Sequence, residues 1–286
     1  MELKNNRLDL NFMSILKTTI VSFLVYNIAS IFPLISFVFP VYKIKTNRTM
    51  NSKEIFITNI TTLLLISILS RFSMMLYVSV FLVIEAFYYG FEISKIKVKI
   101  YDRIILTSLV STGFILFFLG YAGEAIELLK KTVSDIYVNQ YGFSQRDLSI
   151  ILRYLSEYKI FLVFMYSGVV VYLTYLSLMR NTYKDWKISY EWIIIYIIAF
   201  FTQRYSPYGK ILAMNVIEIL KISYTLYGIK LIYTLINSKL KINILSQAIS
   251  FILGFYFSGI TFILGALECF DFLKIHIIKI NNGGKK

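Results

Sequence analysis

The amino-acid sequence predicts an all-α protein, a polytopic transmembrane helical bundle of about 8–9 spans. Three observations predict it. Of the 286 residues, 57% are hydrophobic and only 16% are charged, whereas a soluble domain carries about 25% charged residues. The mean hydropathy is +0.68. The apolar residues also come in blocks near the roughly 20 residues that cross a hydrocarbon layer, with charges between the blocks. We therefore expect a single integral membrane domain, residues 1–286, in a bacterial-type cytoplasmic membrane.

The N-terminal block, about residues 10–42, is too long for one span and contains Pro33 and Pro40. It favours two short helices broken near residues 31–33, because proline interrupts a helix. The later blocks are each predicted to be helical, because an unpaired backbone group in lipid costs several kcal/mol. They are residues 55–70, 72–93, 104–123, 160–179, 190–203, 211–237 and 244–269.

The distribution of basic residues favours two passes in the N-terminal block. With two passes the richest basic segments, including Lys43, Lys45, Arg48 and Lys53, fall on the same side as the N-terminus. With one pass that asymmetry disappears, against the excess of Lys and Arg in cytoplasmic loops. Nine passes with the N-terminus inside is the first topology, and eight passes with both ends inside is the second. The net charge of +14 fits this excess and anionic headgroups, so the lipid bilayer is the expected partner and nucleic acid is not.

The longest polar segment, residues 124–158, falls outside the membrane in this topology. Its apolar residues recur at helical spacing, as in Leu148, Ile151, Leu152 and Leu155. That spacing predicts amphipathic helices that lie on the membrane surface or cap the bundle. A structural lid is the first interpretation of this external segment, and a binding loop is the second.

Sequence motifs for catalysis and metal binding are lacking. His276 is the single histidine and Cys269 the single cysteine, and neither HExxH nor a Gly-rich phosphate loop occurs. Zinc, disulfide and Ser/His/Asp chemistry all need more of these residues. We therefore predict no catalytic residues, no metal site and no cofactor, and the protein is not expected to be an enzyme.

Polar residues inside the spans are the best candidates for ligand binding, because each costs a few kcal/mol unless it faces the bundle interior, water or a partner. The candidates are Glu85, Asn215, Glu218 and Lys221. Glu218 and Lys221 are three residues apart and share a helix face. A buried structural ion pair and a charged group lining a solute cavity are both consistent with that spacing.

Two stripes of small residues predict close helix packing. Ser14, Thr18 and Ser22 repeat at four-residue spacing on the first helix. Gly254, Ser258, Thr261 and Gly265 form the stripe on the last one. Packing within the chain is the first interpretation, and docking of a partner membrane subunit is the second.

Two C-terminal features carry a family resemblance. An aromatic-Gly-apolar step, Tyr227–Gly228–Ile229, precedes the penultimate turn, and the closing segment contains Glu268 and the pair Asp271–Phe272. The chain in these features resembles the YybS-like family of bacterial membrane proteins, whose ending is of the Gly-Leu-x-Asp-x-x-x-Asp-Phe-Arg type. The proline-containing N-terminal hairpin before a basic loop is similar too.

The resemblance implies an architecture similar to the substrate-binding membrane subunits of energy-coupling-factor transporters. Such subunits bind a small molecule in a helical bundle and dock an ATPase module through small residues on the first helix. This chain has Ser14, Thr18 and Ser22 where an Ala-x-x-x-Ala face would be expected. An ATPase module or another membrane subunit is thus the partner that the resemblance implies.

Three functions remain open at this stage. The first is a non-catalytic membrane subunit that binds or helps to move a small solute. The second is a structural or regulatory envelope protein without a substrate. The third is a membrane enzyme of envelope glycan assembly that uses Arg146 and Arg153 in the external segment.

Overall fold

The structure is a computed structural model that describes residues 11–32, 35–94, 97–121, 144–206, 208–240 and 242–270, with isolated positions between 123 and 142. No strand occurs in this described part, so the all-α class is confirmed there. Lys4 and Arg7 at the N-terminus, Asp271 and Phe272 at the C-terminus and most of the predicted external segment before Ser144 lie outside it. The helices are α1 (Phe12–Ile31), α2 (Val38–Asn47), α3 (Ser52–Leu69), α4 (Arg71–Ile93), α5 (Ile100–Tyr121), α6 (Gln145–Glu157), α7 (Lys159–Leu178), α8 (Glu191–Tyr205), α9 (Lys210–Leu240), α10 (Asn243–Tyr256) and α11 (Ser258–Glu268).

Six of the described helices are long and apolar enough to cross a membrane, namely α1, α3, α4, α5, α7 and α9. Helices α10 and α11 qualify only as a pair, which would raise the number to seven. Helices α2 and α8 also lie within predicted apolar blocks, but they have only 10 and 15 residues. At 1.5 Å per residue both are shorter than the hydrocarbon layer. A multi-span helical membrane protein is therefore supported, with fewer full-length spans than the predicted eight or nine.

The last helix is broken, which corrects the expectation of one continuous helix over residues 244–269. Helices α10 and α11 bend by 106° where they meet. Phe257 lies at the break, with a φ of −105° and a ψ of 44° that no helix contains. Gly254 and Gly259 flank it, and glycine weakens a helix by about 1 kcal/mol relative to alanine. Hydropathy alone does not register such a break.

Residue contacts divide the chain into two compact units. Unit 1 consists of Met1–Ile96, Leu106–Leu152 and Val163–Arg180, and unit 2 consists of Lys97–Ile105, Arg153–Leu162 and Asn181–Lys286. Helices α1 to α4 belong wholly to unit 1 and helices α8 to α11 to unit 2.

In unit 1, α1 and α3 begin at the same end and run parallel. The Glu54 carboxylate accepts the backbone N–H of Asn11, just before α1, and also that of Asn51, just before α3, each at 3.0 Å. The Asn51 side chain caps the Glu54 N–H in return, which completes a capping box. Further along, the hydroxyls of Thr19 and Thr61 are 2.9 Å apart. Residues 32–51 must therefore return from the end of α1 to the start of α3.

Helix α2 lies on this return path, antiparallel to α1. The Ser36 hydroxyl donates to the Ala29 carbonyl at 2.9 Å, and the Phe39 and Tyr26 ring centroids are 5.5 Å apart. Pro40 lies in the first turn of α2, where a missing N–H costs little. Helix α1 ends at Ile31, within the predicted break.

An aromatic core holds α1, α2 and α4 together. The rings of Tyr26, Phe39, Tyr77 and Phe81 pack with centroid separations of 5.1–5.8 Å, mostly edge to face. All four are at most 2% exposed. The Tyr26 hydroxyl donates to the Ser73 carbonyl at 2.6 Å, which fixes the start of α4 against α1. Such pairs add about 0.5–1.5 kcal/mol each beyond their buried area.

In unit 2, α9 packs closely against α10 and α11 through glycines. A β-carbon added at Gly228 would lie 2.1 Å from the Thr261 carbonyl oxygen, and one at Gly265 would lie 2.2 Å from that of Tyr224. One added at Gly254 would lie 2.2 Å from the Ile229 side chain. Of the predicted packing stripes, Gly254, Thr261 and Gly265 thus pack within the chain. Thr18 and Ser22 are buried as well, whereas Ser14 and Ser258 are half-buried.

Candidate functional site

Glu85 lies deep in the spanning helix α4, fourteen residues after Arg71 and eight before Ile93. Its side chain is 6% exposed. One carboxylate oxygen, Oε1, accepts the amide N–H groups of Asn47 on α2 at 2.5 Å and of Asn59 on α3 at 3.0 Å. Three helices therefore meet at this carboxylate.

The two asparagines turn their carbonyl oxygens away from Glu85. An ionised carboxylate only accepts hydrogen bonds, so each amide must present its NH₂ group to it. Asn47 Oδ1 and Asn59 Oδ1 are consequently left without a partner in the described part of the chain, although both are buried. Buried polar atoms in proteins are nearly always hydrogen-bonded, so these two oxygens are available to bind a further group.

Lys43 is the second ionisable residue of this site. It lies on α2, four residues before Asn47, and is 1% exposed. Its Nζ has no hydrogen-bond partner among the described residues, and Glu85 is near enough to act on it electrostatically. A buried ammonium is costly unless it is paired and hydrogen-bonded, so Lys43 is a candidate group for binding a ligand.

Tyr77 completes what we name the polar cluster: Lys43, Asn47, Asn59, Tyr77 and Glu85. The Tyr77 hydroxyl is buried without a partner in the described part, and Glu85 lies close enough to act on it. Among the residues that the structure describes, four further buried hydroxyls of unit 1 have no hydrogen-bond partner, namely those of Ser22, Thr58, Thr62 and Ser111. Thr58 and Thr62 are one turn apart and flank Asn59 on α3. Unit 1 is thus rich in buried oxygen atoms that no described residue satisfies.

A π-helical segment, Tyr77–Leu82, immediately precedes Glu85 in α4. Such segments are rare, and they are common at functional sites. This one places the Tyr77 ring in the aromatic core and lies within one turn of the Glu85 carboxylate. The π-helical backbone therefore sets the orientation of the Tyr77 and Glu85 side chains.

Beyond the cluster, α2 and α4 are joined at the end of α2. Arg48 donates to the Tyr88 hydroxyl at 2.7 Å and pairs with Glu92 at 3.3 Å, and the Tyr89 hydroxyl donates to the Ile44 carbonyl at 3.1 Å. Arg48 is half exposed, so this pair lies at the surface of unit 1. These contacts join the end of α2 to α4.

The other sequence-predicted ligand residues lie in unit 2, apart from Glu85. Asn215 is fully buried, and its amide is used by the backbone: it accepts from Phe161 N–H and donates to the carbonyls of Glu157 and Ile211, all within 2.8 Å. Glu218 and Lys221 pair at 3.8 Å with side chains 35% and 46% exposed. The structure therefore favours a helix-joining contact for Asn215 and a partly exposed ion pair for the other two.

Unit 2 also contains a buried carboxylate that the sequence analysis did not single out. Asp102, 7% exposed, accepts the backbone N–H and hydroxyl of Ser189 and the indole N–H of Trp192 at 3.0 Å. Nearby in unit 2, Lys230 donates to the Trp186 carbonyl at 3.0 Å. Both oxygens of Asp102 have partners, so this carboxylate fastens the 186–192 segment to the start of α5 and offers little to a ligand.

Sequence reasoning found Glu85 and missed its partners. The sequence analysis counts Lys43 among the basic residues on the cytoplasmic side and does not single it out as a site residue, whereas in the structure its side chain is buried. A signal existed, because Phe39, Lys43 and Asn47 recur every four residues along α2 and all are at most 2% exposed. The neighbours Lys45 and Arg48 are exposed. Only the aromatic residue of this stripe is apolar, so hydropathy could not separate the buried lysine from the exposed basic residues.

No protein-family model, curated protein or solved structure matches this chain.

Proposed function

We propose that this protein is a non-catalytic, multi-pass membrane subunit that binds a small polar solute at the polar cluster of unit 1 and takes part in its transport. The observation that carries the proposal is Lys43, whose ammonium nitrogen is buried without a hydrogen-bond partner in the described part of the chain. Glu85 acts on it electrostatically, and the Asn47 and Asn59 carbonyl oxygens likewise have no hydrogen-bond partner among the described residues.

Energetics favour a binding role over a purely structural one. A buried structural charge is tolerated when its hydrogen bonds are satisfied, as those of the Asp102 carboxylate are by Ser189 and Trp192. In the polar cluster a cation donor and several acceptors are left over, and each unsatisfied buried group costs about 1–3 kcal/mol. A bound solute with both acceptor and donor atoms would offset these costs.

The expected setting is a cytoplasmic membrane, crossed eight or nine times. The parallel start of α1 and α3 supports two passes in the N-terminal block, the second through α2, and the bent pair α10–α11 would add a further pass. The likeness to the YybS-like family and the docking of an ATPase module or another membrane subunit belong to this proposal too. So does a contribution of Asn215, Glu218 and Lys221 to solute binding.

A purification experiment tests the proposal. The full chain is purified in mild detergent, and native mass spectrometry identifies the small molecules and proteins that remain bound. We expect the wild type to retain a small molecule, and we expect Lys43→Met and Glu85→Gln to lose it while the protein stays monodisperse. The matched control neutralises the exposed pair Glu127 and Lys130, 2.6 Å apart, and should retain it.

Two results would contradict this assignment. If Glu218→Gln with Lys221→Met abolishes retention and the cluster variants do not, the solute site lies in unit 2. If no variant or wild-type sample carries a small molecule and the cluster variants fail to express, the cluster is structural and the protein lacks a substrate there.

A further inference from the structure

Helix α6 has an apolar side and a polar side. The apolar side consists of Leu148, Ile151, Leu152 and Leu155. The polar side consists of Arg146, Ser149, Arg153 and Ser156, which are all exposed. Because residues three and four apart share a helix face, each set forms one stripe along the helix. A helix with two such sides is stable neither wholly in water nor wholly in lipid.

Much of the apolar side is uncovered. Leu148 is buried, whereas Ile151 and Leu155 are 44% and 47% exposed. Tyr154, at the edge of this side, is exposed as well. A helix that capped the bundle would bury these side chains against the rest of the chain. Their exposure therefore favours contact with something other than the chain itself.

The joint between α6 and α7 contains an inserted side chain. In a continuous helix the Phe161 N–H would donate to the Glu157 carbonyl, four residues earlier. Here the Asn215 amide takes both groups, because its oxygen accepts from Phe161 and its nitrogen donates to Glu157. A side chain inserted between main-chain hydrogen-bonding groups kinks a helix. Helix α6 is therefore not a straight extension of α7.

The joint lies where α7 enters the membrane. Only Tyr158 separates the end of α6 from the start of α7, and α7 is long and apolar enough to cross a membrane. The Tyr154 and Tyr158 rings stack there with centroids 4.5 Å apart, and tyrosine is enriched at bilayer surfaces. A kinked helix that leaves a span at this level runs along the headgroup layer.

We propose that α6 is an interfacial helix that lies in the plane of the bilayer surface. Its apolar side, with Ile151 and Leu155, is immersed in the lipid, and its polar side, with Ser149 and Arg153, faces water. The partner of this surface is thus the phospholipid layer on the side where α7 begins. Such a helix holds the start of α7 at the bilayer surface. The inference goes beyond solute binding and does not depend on it.

Fluorescence quenching tests which side of α6 contacts lipid. Single cysteines replace Ile151, Leu155, Ser149 or Ser156 in a full-length Cys269→Ser background, and each is labelled with bimane in lipid nanodiscs. All four positions are exposed, so the labels should not disturb folding. Nitroxide attached to the lipid should quench the labels at Ile151 and Leu155 about threefold more than those on the polar side. Iodide in the water should give the opposite order.

A second measurement tests whether the apolar contact holds the helix at the surface. The label is placed at Tyr154. Ile151→Ser with Leu155→Ser should lower its quenching by the lipid nitroxide about threefold, because α6 loses its apolar contact with the bilayer. The matched control on the polar side, Ser149→Ala with Ser156→Ala, should leave that quenching unchanged.

Three results would overturn the proposal. Equal iodide quenching of both sides would place α6 in bulk water. Labels at Ile151 and Leu155 that are protected from both quenchers would mean that protein covers the apolar side, either a second copy or another part of this chain. Equal lipid quenching of the Tyr154 label in the serine and alanine variants would show that the apolar side does not hold the helix at the bilayer.

Discussion

At the scale of single residues, burial alone does not separate a structural polar group from a functional one. Asn215 and Lys43 are both almost fully buried. The Asn215 amide has a backbone partner for its oxygen and two for its nitrogen, whereas the Lys43 nitrogen has none in the described part of the chain. What distinguishes them is therefore the inventory of hydrogen bonds. That inventory depends on helices distant in sequence, so no sequence pattern could supply it.

The Asn215 contact leads to a stability prediction. Asn215→Leu removes the partners of Phe161 N–H and the Glu157 carbonyl, which join the start of α7 to α9. The unsatisfied groups should lower the free energy of unfolding by about 2 kcal/mol or more. Thermal unfolding in detergent measures the change. Asn181→Leu, in the exposed turn after α7, serves as the control, and equal melting temperatures for the two variants would contradict a joining role for Asn215.

At the scale of helices, unit 2 depends on close packing that glycine permits. The α9–α11 contact brings the backbone of Thr261 so near Gly228 that a methyl group has no room. On the same helix as Thr261, Gly259 has open space around it. The spacing of small residues in the sequence predicted close packing of the last helix. It could not show that the facing residues are Gly228, Tyr224 and Ile229, because the identity and register of the partner helix depend on the tertiary structure.

Gly228 and Gly259 provide a matched pair of substitutions. Gly228→Ala should destabilise the protein by about 1–3 kcal/mol, because α9 and α11 must move apart. Gly259→Ala should leave stability unchanged or raise it by a few tenths of a kcal/mol, since alanine favours a helix over glycine. Melting temperatures of both variants in the same detergent test this, and a tolerated Gly228→Ala would contradict the closeness of the two helices.

At the scale of the whole molecule, the apolar blocks could be predicted to within a few residues, because lipid requires long uncharged helices. Helices α3, α4, α7 and α9 each begin within three residues of the predicted block. The break at Phe257 could not be predicted, and the four-residue spacing on α2 does not by itself show that this face is buried, since both depend on side chains that other helices contribute. Of the candidate site, Glu85 could be predicted because a carboxylate in a span is conspicuous, whereas Lys43 resembles any basic loop residue.

The membrane topology of the chain can be tested by cysteine labelling. In a Cys269→Ser background, single cysteines at Thr49 and Ser94 should react with an impermeant reagent only from the inside, and cysteines at Arg71 and Ser134 only from the outside. An N-terminal tag should be reached from the same side as Thr49, because α1 and α3 begin at the same end of unit 1. A tag on the opposite side from Thr49 would mean that residues 32–51 do not complete a second pass.

The π-helical segment of α4 makes the orientation of Glu85 sensitive to chain length. Each residue of an α-helix turns the chain by roughly 100°, so the loss of one residue within Tyr77–Leu82 would swing the carboxylate about a quarter turn out of reach of Asn47 and Asn59. Such a deletion would leave the apolar character of the span nearly the same. Two chains with indistinguishable hydropathy profiles could therefore differ in whether this carboxylate faces its amides or the lipid.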